Sequence, residues 1–120
     1  MARLLVVDDE EADLLVLKTI LERADHQVFT ARDGREALEV FQGKDIQVVI
    51  TDLQMNEVHG LELITIVREF EPRPPIIAIS GTGEVQLEMA QALGAQKTLT
   101  KPVNPQALLT AVREVLAGVA

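Results

Sequence analysis

Short, nearly continuous apolar runs alternate along the chain with longer segments in which apolar residues recur at helical spacing. The short runs predict five strands, at residues 4–7, 28–31, 46–51, 76–79 and 98–100. The longer segments predict helices at residues 12–21, 33–43, 61–70, 84–93 and 105–116. The pattern therefore indicates five βα units in series.

The residues at the predicted helix ends support this division. Asp33 followed by Glu36 resembles a helix-capping arrangement, and Asn104 followed by Pro105 is typical of a helix start. The run at 46–51 is rich in β-branched residues, as expected of a central strand covered on both faces. Because crossovers between parallel strands are right-handed, the units predict an α/β fold, a doubly wound parallel sheet with helices on both sides.

Length and composition narrow the class of protein. A chain of 120 residues with 48% hydrophobic residues is expected to form one domain, spanning 1–120. Its 19 acidic and 11 basic residues give a net charge of -8, which argues against direct binding of nucleic acid. The first apolar stretch is too short for a signal peptide or a membrane span, so we expect no membrane association and a cytoplasmic location. The chain has no cysteine and hence no thiol chemistry.

Polar residues follow four of the five predicted strands. Asp8 and Asp9 follow the first strand, Asp52 the third, Ser80 the fourth and Lys101 the fifth. The carboxyl ends of parallel strands lie along one edge of a sheet, which is where open α/β sheets bind ligands. We therefore expect three carboxylates, a hydroxyl and an ammonium group to share one site.

Three neighbouring carboxylates repel one another unless a cation compensates. With oxygen ligands and no His or Cys among them, the preferred ion is Mg²⁺, with room for water and a phosphoryl oxygen. Asp52 is the best candidate nucleophile because it ends the most buried predicted strand, and its attack on phosphorus yields an acyl phosphate. Lys101 and Ser80 can then contact phosphoryl oxygens.

These residues occur in motifs that resemble those of response-regulator receiver domains, in the same order and across essentially the whole chain. The motifs are Val7-Asp8-Asp9, Asp52 with Met55 and Gly60 behind it, Ile79-Ser80-Gly81, and Lys101-Pro102. The resemblance implies a flavodoxin-like (βα)5 fold with strand order 2-1-3-4-5. It also implies a two-component signalling switch in which phosphorylation of Asp52 changes partner binding.

The resemblance further assigns roles to individual residues. Asp9 is expected to bind Mg²⁺ directly and Asp8 mostly through water, while Asp52 and the backbone carbonyl of Gln54 complete the protein ligands. The Lys101-Pro102 peptide is expected to be cis. The phosphoryl donor would be a histidine kinase or a histidine phosphotransfer protein. A downstream protein would bind the surface around Val85, Leu87, Thr98, Val103 and Ala107.

Two positions depart from the receiver pattern. Asn56 stands where receivers commonly have Pro, and Thr98 stands where they commonly have an aromatic residue that turns inward or outward. Since Thr98 has no ring to move, we predict that a conformational signal runs mainly through Ser80 and the loop at 81–84. Gln54 and Thr82 occupy positions that in similar domains influence how fast phosphate is lost.

Three alternatives remain open at this stage. A phosphatase of the haloacid-dehalogenase type also uses an aspartate nucleophile and Mg²⁺, but it needs a second aspartate where this chain has Gln54. A flavodoxin-type binding module would use 80–83 as a phosphate loop, but the aromatic residues expected around a flavin are absent from the sequence. A degenerate receiver would bind partners without phosphorylation, and Asn56 and Thr98 keep that alternative open.

Overall fold

Strands and helices alternate strictly along the chain in the computed structural model, which describes residues 2–53, 60–69, 73–81 and 84–118. The strands are β1 (Arg3–Val7), β2 (Gln27–Ala31), β3 (Val48–Asp52), β4 (Ile76–Ser80) and β5 (Lys97–Thr100). The helices are α1 (Glu11–Arg23), α2 (Gly34–Gly43), α3 (Gly60–Val67), α4 (Glu84–Leu93) and α5 (Pro105–Leu116). The predicted five βα units are confirmed.

The five strands form one parallel sheet in the order β2-β1-β3-β4-β5, as predicted. Their register brings the carboxyl ends level with one another. Val7 lies opposite Ala31 and Thr51, and Asp52 lies opposite Ile79. The residues that end or follow these strands are therefore delivered to one edge of the sheet.

Each face of the sheet has its own hydrophobic core, because successive strand residues point to opposite sides. Leu5, Val7 and Val49 face α2, α3 and α4, where they pack with a first group of buried residues that includes Ala37, Leu63, Ile64, Val67 and Ala90. Leu4, Val6 and Ile50 face α1 and α5, where they pack with a second group that includes Leu14, Leu17, Leu21, Leu108 and Val112. The central strands are covered on both sides, which explains their nearly continuous apolar sequence.

Both predicted helix starts are confirmed. The Asp33 carboxylate accepts a hydrogen bond from the Glu36 backbone N–H at 2.8 Å, at the start of α2. The Asn104 side chain accepts one from the Ala107 N–H at 3.1 Å, at the start of α5. Each bond satisfies a backbone donor that the helix itself leaves unpaired.

Some element bounds differ from the prediction. β3 begins at Val48 rather than at residue 46, although the Gln47 N–H already bonds to the Arg3 carbonyl of β1. α3 ends at Val67 rather than at residue 70, and the Glu69 N–H bonds three residues back to Ile66 in a tightened last turn. β3 and β4 each extend by one residue, so Asp52 and Ser80 are the last residues of their strands rather than the first beyond them.

Within the part of the chain that the structure describes, no helix combines the length and the apolar character needed to span a bilayer.

Candidate functional site

The site lies at the carboxyl edge of the sheet, where four neighbouring strands supply its side chains. Asp8 follows β1, Asp52 ends β3, Ser80 ends β4 and Lys101 follows β5. Asp8, Asp52 and Ser80 are buried, with relative exposures of 0%, 4% and 0%. Buried polar side chains of this kind are costly unless they are paired, so their clustering points to function rather than to packing.

Hydrogen bonds to the backbone fix these residues at the strand ends. The Asp8 N–H donates to the Ala31 carbonyl at 3.1 Å, and the Lys101 N–H donates to the Ser80 carbonyl at 3.1 Å. The Thr51 hydroxyl donates to the Asp52 carbonyl at 2.9 Å. The site residues are thus fixed to the rigid sheet rather than carried on free loops.

Three carboxylates form the acidic part of the site. Asp8, Asp9 and Asp52 each offer an oxygen atom, and these atoms all lie within 4.8 Å of one another. Asp8 also accepts a hydrogen bond from the Glu10 N–H at 2.9 Å. Burial raises the pKa of Asp8 above its ordinary value, although this bond and Lys101 favour the ionised form. Removing this carboxylate from water therefore has a cost that a cation would offset.

Lys101 provides the positive charge of the site. Its Nζ lies 2.9 Å from Asp13 Oδ2, 3.1 Å from Asp8 Oδ2 and 3.5 Å from Asp52 Oδ2. Burial alone would lower the pKa of Lys101, but the hydrogen bond to Asp13 and the charges of Asp52 and Asp8 outweigh it and raise that pKa. Lys101 is therefore held in its ammonium form among the carboxylates of Asp8, Asp13 and Asp52.

Most of the predicted site residues are brought together. Asp8, Asp9, Asp52 and Lys101 share one cluster, and Ser80 ends the strand next to Asp52. The Lys101-Pro102 peptide is cis, as expected. The positions of Gln54, Asn56 and Thr82 lie outside the described residues.

Asp13 belongs to this site but was missed by sequence reasoning. It lies in the first turn of α1 and makes the shortest contact to Lys101 Nζ among the three carboxylates. An acidic residue in the first turn of a helix is usually explained by its favourable interaction with the helix dipole. That explanation accounts for Asp13 without a contact to Lys101, so the sequence offered no separate reason to expect the contact. The available signal was its position in the first turn of the helix that directly follows the acidic pair.

The predicted partner surface needs one correction. Leu87 is buried, with 9% exposure, and packs in the core beneath α4, so it is not available to a partner. Thr98 and Val103 are half-buried, and Ala107 is exposed. The side chain of Val85 lies outside the described residues.

Comparison with known proteins decides the family. Residues 4–113 match the family described as the response regulator receiver domain. The chain belongs to this family. Receivers are phosphoryl-accepting signalling switches of two-component systems, so the family explains why carboxylates, a hydroxyl and an ammonium group meet at one sheet edge.

Individual receivers are similar along nearly the whole chain. A chemotaxis protein CheY homolog of Campylobacter jejuni is 34% identical over 95% of this chain and 92% of its own length. A crystal structure of a receiver domain protein from Clostridium thermocellum matches with a TM-score of 0.91 and 32% identity, over 98% of this chain and 95% of that chain.

Other relatives are much longer than this receiver. The transcriptional regulatory protein GlrR of Escherichia coli is 34% identical over 96% of this chain, which spans 26% of the length of GlrR. The matches thus include both short proteins and regulators in which the receiver is one part. The phosphatase, flavin-binding and degenerate-receiver alternatives gain no support from them.

The donor set of this receiver fits Mg²⁺, the ion that the family typically binds. The three clustered groups are all carboxylates, and oxygen is the ligand that Mg²⁺ prefers. Asp8 and Asp52 are buried and like-charged, an arrangement that a divalent ion would stabilise.

Proposed function

We propose that Asp52 is the phosphoryl acceptor of this receiver. The observation that carries the proposal is the position of its carboxylate, which lies in the acidic cluster with Lys101 Nζ 3.5 Å from Oδ2. A buried carboxylate beside a fixed ammonium group is suited to attack phosphorus, because the ammonium offsets the charge of the incoming group.

The proposed step transfers a phosphoryl group from a phosphohistidine. A carboxylate oxygen of Asp52 donates an electron pair to phosphorus, and a P–O bond forms as the P–N bond breaks. The imidazole nitrogen keeps the electron pair of the broken bond and can take a proton from solvent. Later attack by water on phosphorus releases inorganic phosphate and restores the Asp52 carboxylate. The donor in this proposal is a histidine kinase or a histidine phosphotransfer protein.

Other residues of the site would bind the metal and orient the phosphoryl group. Asp8, Asp9 and Asp52, together with the Gln54 carbonyl, would hold Mg²⁺, and the bound ion supplies positive charge near the transferred group. Lys101 would pair with one phosphoryl oxygen through its ammonium group. Ser80, at the end of the neighbouring strand, would donate its hydroxyl hydrogen to another.

The proposal extends to the whole chain and to its partners. Residues 1–120 would form one receiver domain with a cytoplasmic location. Phosphorylation would change the binding of a downstream protein at a surface that includes Thr98, Val103 and Ala107, with Val85 beside it. The half-buried or exposed state of the first three residues supports this choice.

The test compares two Asp→Asn variants of the full chain. The control is Asp45→Asn, because the Asp45 side chain is 85% exposed. Wild type and this control are expected to take up acid-labile phosphate from a small phosphodonor in the presence of Mg²⁺. Asp52→Asn is expected to take up none. Mass spectrometry of the intact protein measures the added group. Uptake by Asp52→Asn equal to that of wild type would overturn the assignment of the acceptor.

A further inference from the structure

The ammonium group of Lys101 is shared among more carboxylates than the proposed reaction requires. A lysine ammonium has three N–H donors, and three carboxylates lie around it, from Asp8, Asp13 and Asp52. Asp8 and Asp52 belong to the acceptor cluster, whereas Asp13 lies on α1 and is not one of the clustered metal-binding groups. The contact from Asp13 therefore needs its own explanation.

Phosphorylation of Asp52 would bring new oxygen atoms that need a donor from Lys101. Formation of the acyl phosphate removes the charge of the Asp52 carboxylate, so Lys101 must turn from its other partners toward the phosphoryl oxygens, and the exposure of the carboxylates indicates which contact weakens most easily. The side chains of Asp8 and Asp52 are 1% and 5% exposed, whereas that of Asp13 is 45% exposed. Water can replace the lysine at Asp13 at low cost, but it cannot reach the two buried carboxylates as easily.

We propose that Asp13 is a positioning residue that holds Lys101 in the unmodified state and competes with the phosphoryl group for its ammonium. This inference rests on the proposed role of Asp52 and adds a residue that regulates how readily Asp52 is modified. Because the Asp13–Lys101 contact favours the unmodified state, its removal shifts the balance toward the modified one.

The surroundings of Asp13 suit this role. Its neighbour Leu14 and Leu17 are buried in the core between α1 and the sheet, so the backbone that carries Asp13 is fixed. A cleft of about 240 Å³ separates α1 from the segment after β5, and both Asp13 and Lys101 line it. The lysine side chain thus has space beside it in which to move between partners.

Removal of Asp13 could also favour the modified state simply by reducing long-range repulsion, since any acid near the site disfavours an incoming anion. Glu11 separates the two explanations. It lies in the same first turn of α1 and carries the same charge, but it lines a different cleft, with Leu15 and Lys18. Among the described residues, the carboxylates that pair with Lys101 are those of Asp8, Asp13 and Asp52. Glu11→Gln is therefore the matched control.

The experiment measures beryllofluoride affinity at saturating Mg²⁺ by amide NMR spectra of the full chain. Asp13→Asn is expected to bind beryllofluoride about two- to fivefold more tightly than wild type, the range that corresponds to a partly exposed ion pair. Glu11→Gln is expected to stay close to wild type, and Asp13→Glu, which keeps the charge, is expected to restore most of the wild-type affinity. Magnesium affinity is measured separately, so that a change in metal binding is not read as a change in anion binding.

A second measurement follows the lysine itself. Without beryllofluoride, hydrogen exchange of the Lys101 ammonium is expected to be faster in Asp13→Asn than in wild type, because one acceptor is lost. With beryllofluoride bound, the two proteins are expected to exchange at similar rates. A general loosening of the fold would instead raise exchange in both states and would overturn the proposal.

The remaining outcomes are also decisive. Equal beryllofluoride affinities in Asp13→Asn and wild type would overturn the inference while leaving the acceptor assignment intact. An equal gain in Glu11→Gln would show that charge alone is responsible and would overturn it as well. A wild-type protein that binds no beryllofluoride would refute the proposed function, and this inference with it.

Discussion

At the scale of single residues, the acidic cluster opposes folding and favours binding of a cation. Asp8, Asp9 and Asp52 place oxygen atoms within 4.8 Å of one another, and like charges at this distance repel. Lys101 compensates Asp8 and Asp52 directly, at 3.1 Å and 3.5 Å. Asp9 is half-buried and has no ion pair with Lys101. Its charge is therefore the least compensated of the three.

This arrangement predicts the effect of Asp9→Asn on stability. In the presence of a chelator, the variant is expected to have a free energy of unfolding about 1 kcal/mol higher than wild type, because one repelling charge is removed. With Mg²⁺ added, wild type is expected to gain stability and the variant to gain much less, since ligand binding stabilises only a protein that retains the ligand. Urea unfolding with and without Mg²⁺ measures both effects.

The control for this prediction is Asp45→Asn. Asp45 pairs with Arg3 at 3.5 Å on the exposed surface, and such a pair contributes little. Its stability is expected to respond to Mg²⁺ as wild type does. A magnesium response in Asp9→Asn as large as that of wild type would contradict the assignment of Asp9 as a ligand.

At the scale of elements, the end of α4 depends on a backbone shape that few residues adopt. Gly94 follows the helix with a φ of +123°, and its N–H donates to the Ala90 carbonyl at 3.1 Å. A Cβ at this position would lie 2.6 Å from the Arg68 side chain, which donates a hydrogen bond to the Leu93 carbonyl. Glycine thus allows α4 to end and α3 to approach it at the same place.

We therefore expect Gly94→Ala to lower the free energy of unfolding by about 1–3 kcal/mol, because the new methyl group meets both backbone strain and Arg68. Gly43→Ala is the matched control, since Gly43 ends α2 with nothing within 4 Å of the added atom. That variant is expected to be neutral or slightly stabilised, because alanine favours the helix. Thermal and denaturant unfolding of both variants distinguishes the two effects, and an equal loss in both would contradict the explanation.

The elements themselves could be predicted closely because local sequence determines them. Apolar runs and helical spacing located all five strands and five helices, and Asp33 and Asn104 located two helix starts. The end of α3 was placed too late, because the apolar spacing continues past Val67 although the last turn tightens there. Periodicity shows which side chains share a face, but it does not show where the hydrogen bonds of a helix change.

At the scale of the whole molecule, the sequence could predict those site residues that lie at the ends of strands. Asp8, Asp52, Ser80 and Lys101 follow from the rule that parallel strands end at one edge. Asp13 does not follow from this rule, because it lies on a helix and reaches the site only through the packing of α1 beside the segment after β5. The burial of Leu87 was missed for a related reason, since apolar spacing alone does not show which side of α4 faces the core.

The transmission of a signal through the molecule gives a further prediction. Thr98 is half-buried in β5 and has no aromatic ring to reorient. On addition of beryllofluoride and Mg²⁺, the largest amide shifts are therefore expected at Ser80, at residues 81–84, and around Lys101. Thr98→Ala is expected to show the same pattern, because no ring motion is lost. Unchanged shifts at Ser80 and Gly81 would contradict this route.

The large sequence separation between Lys101 and its carboxylate partners has a consequence for the order of synthesis. Lys101 and Asp8 are in contact although 93 residues separate them in the sequence. A ribosome therefore completes all three carboxylates, the last of them at position 52, well before it adds their ammonium partner. The acidic cluster therefore cannot be paired with its internal cation until position 101 has been added, whatever the order in which the strands fold.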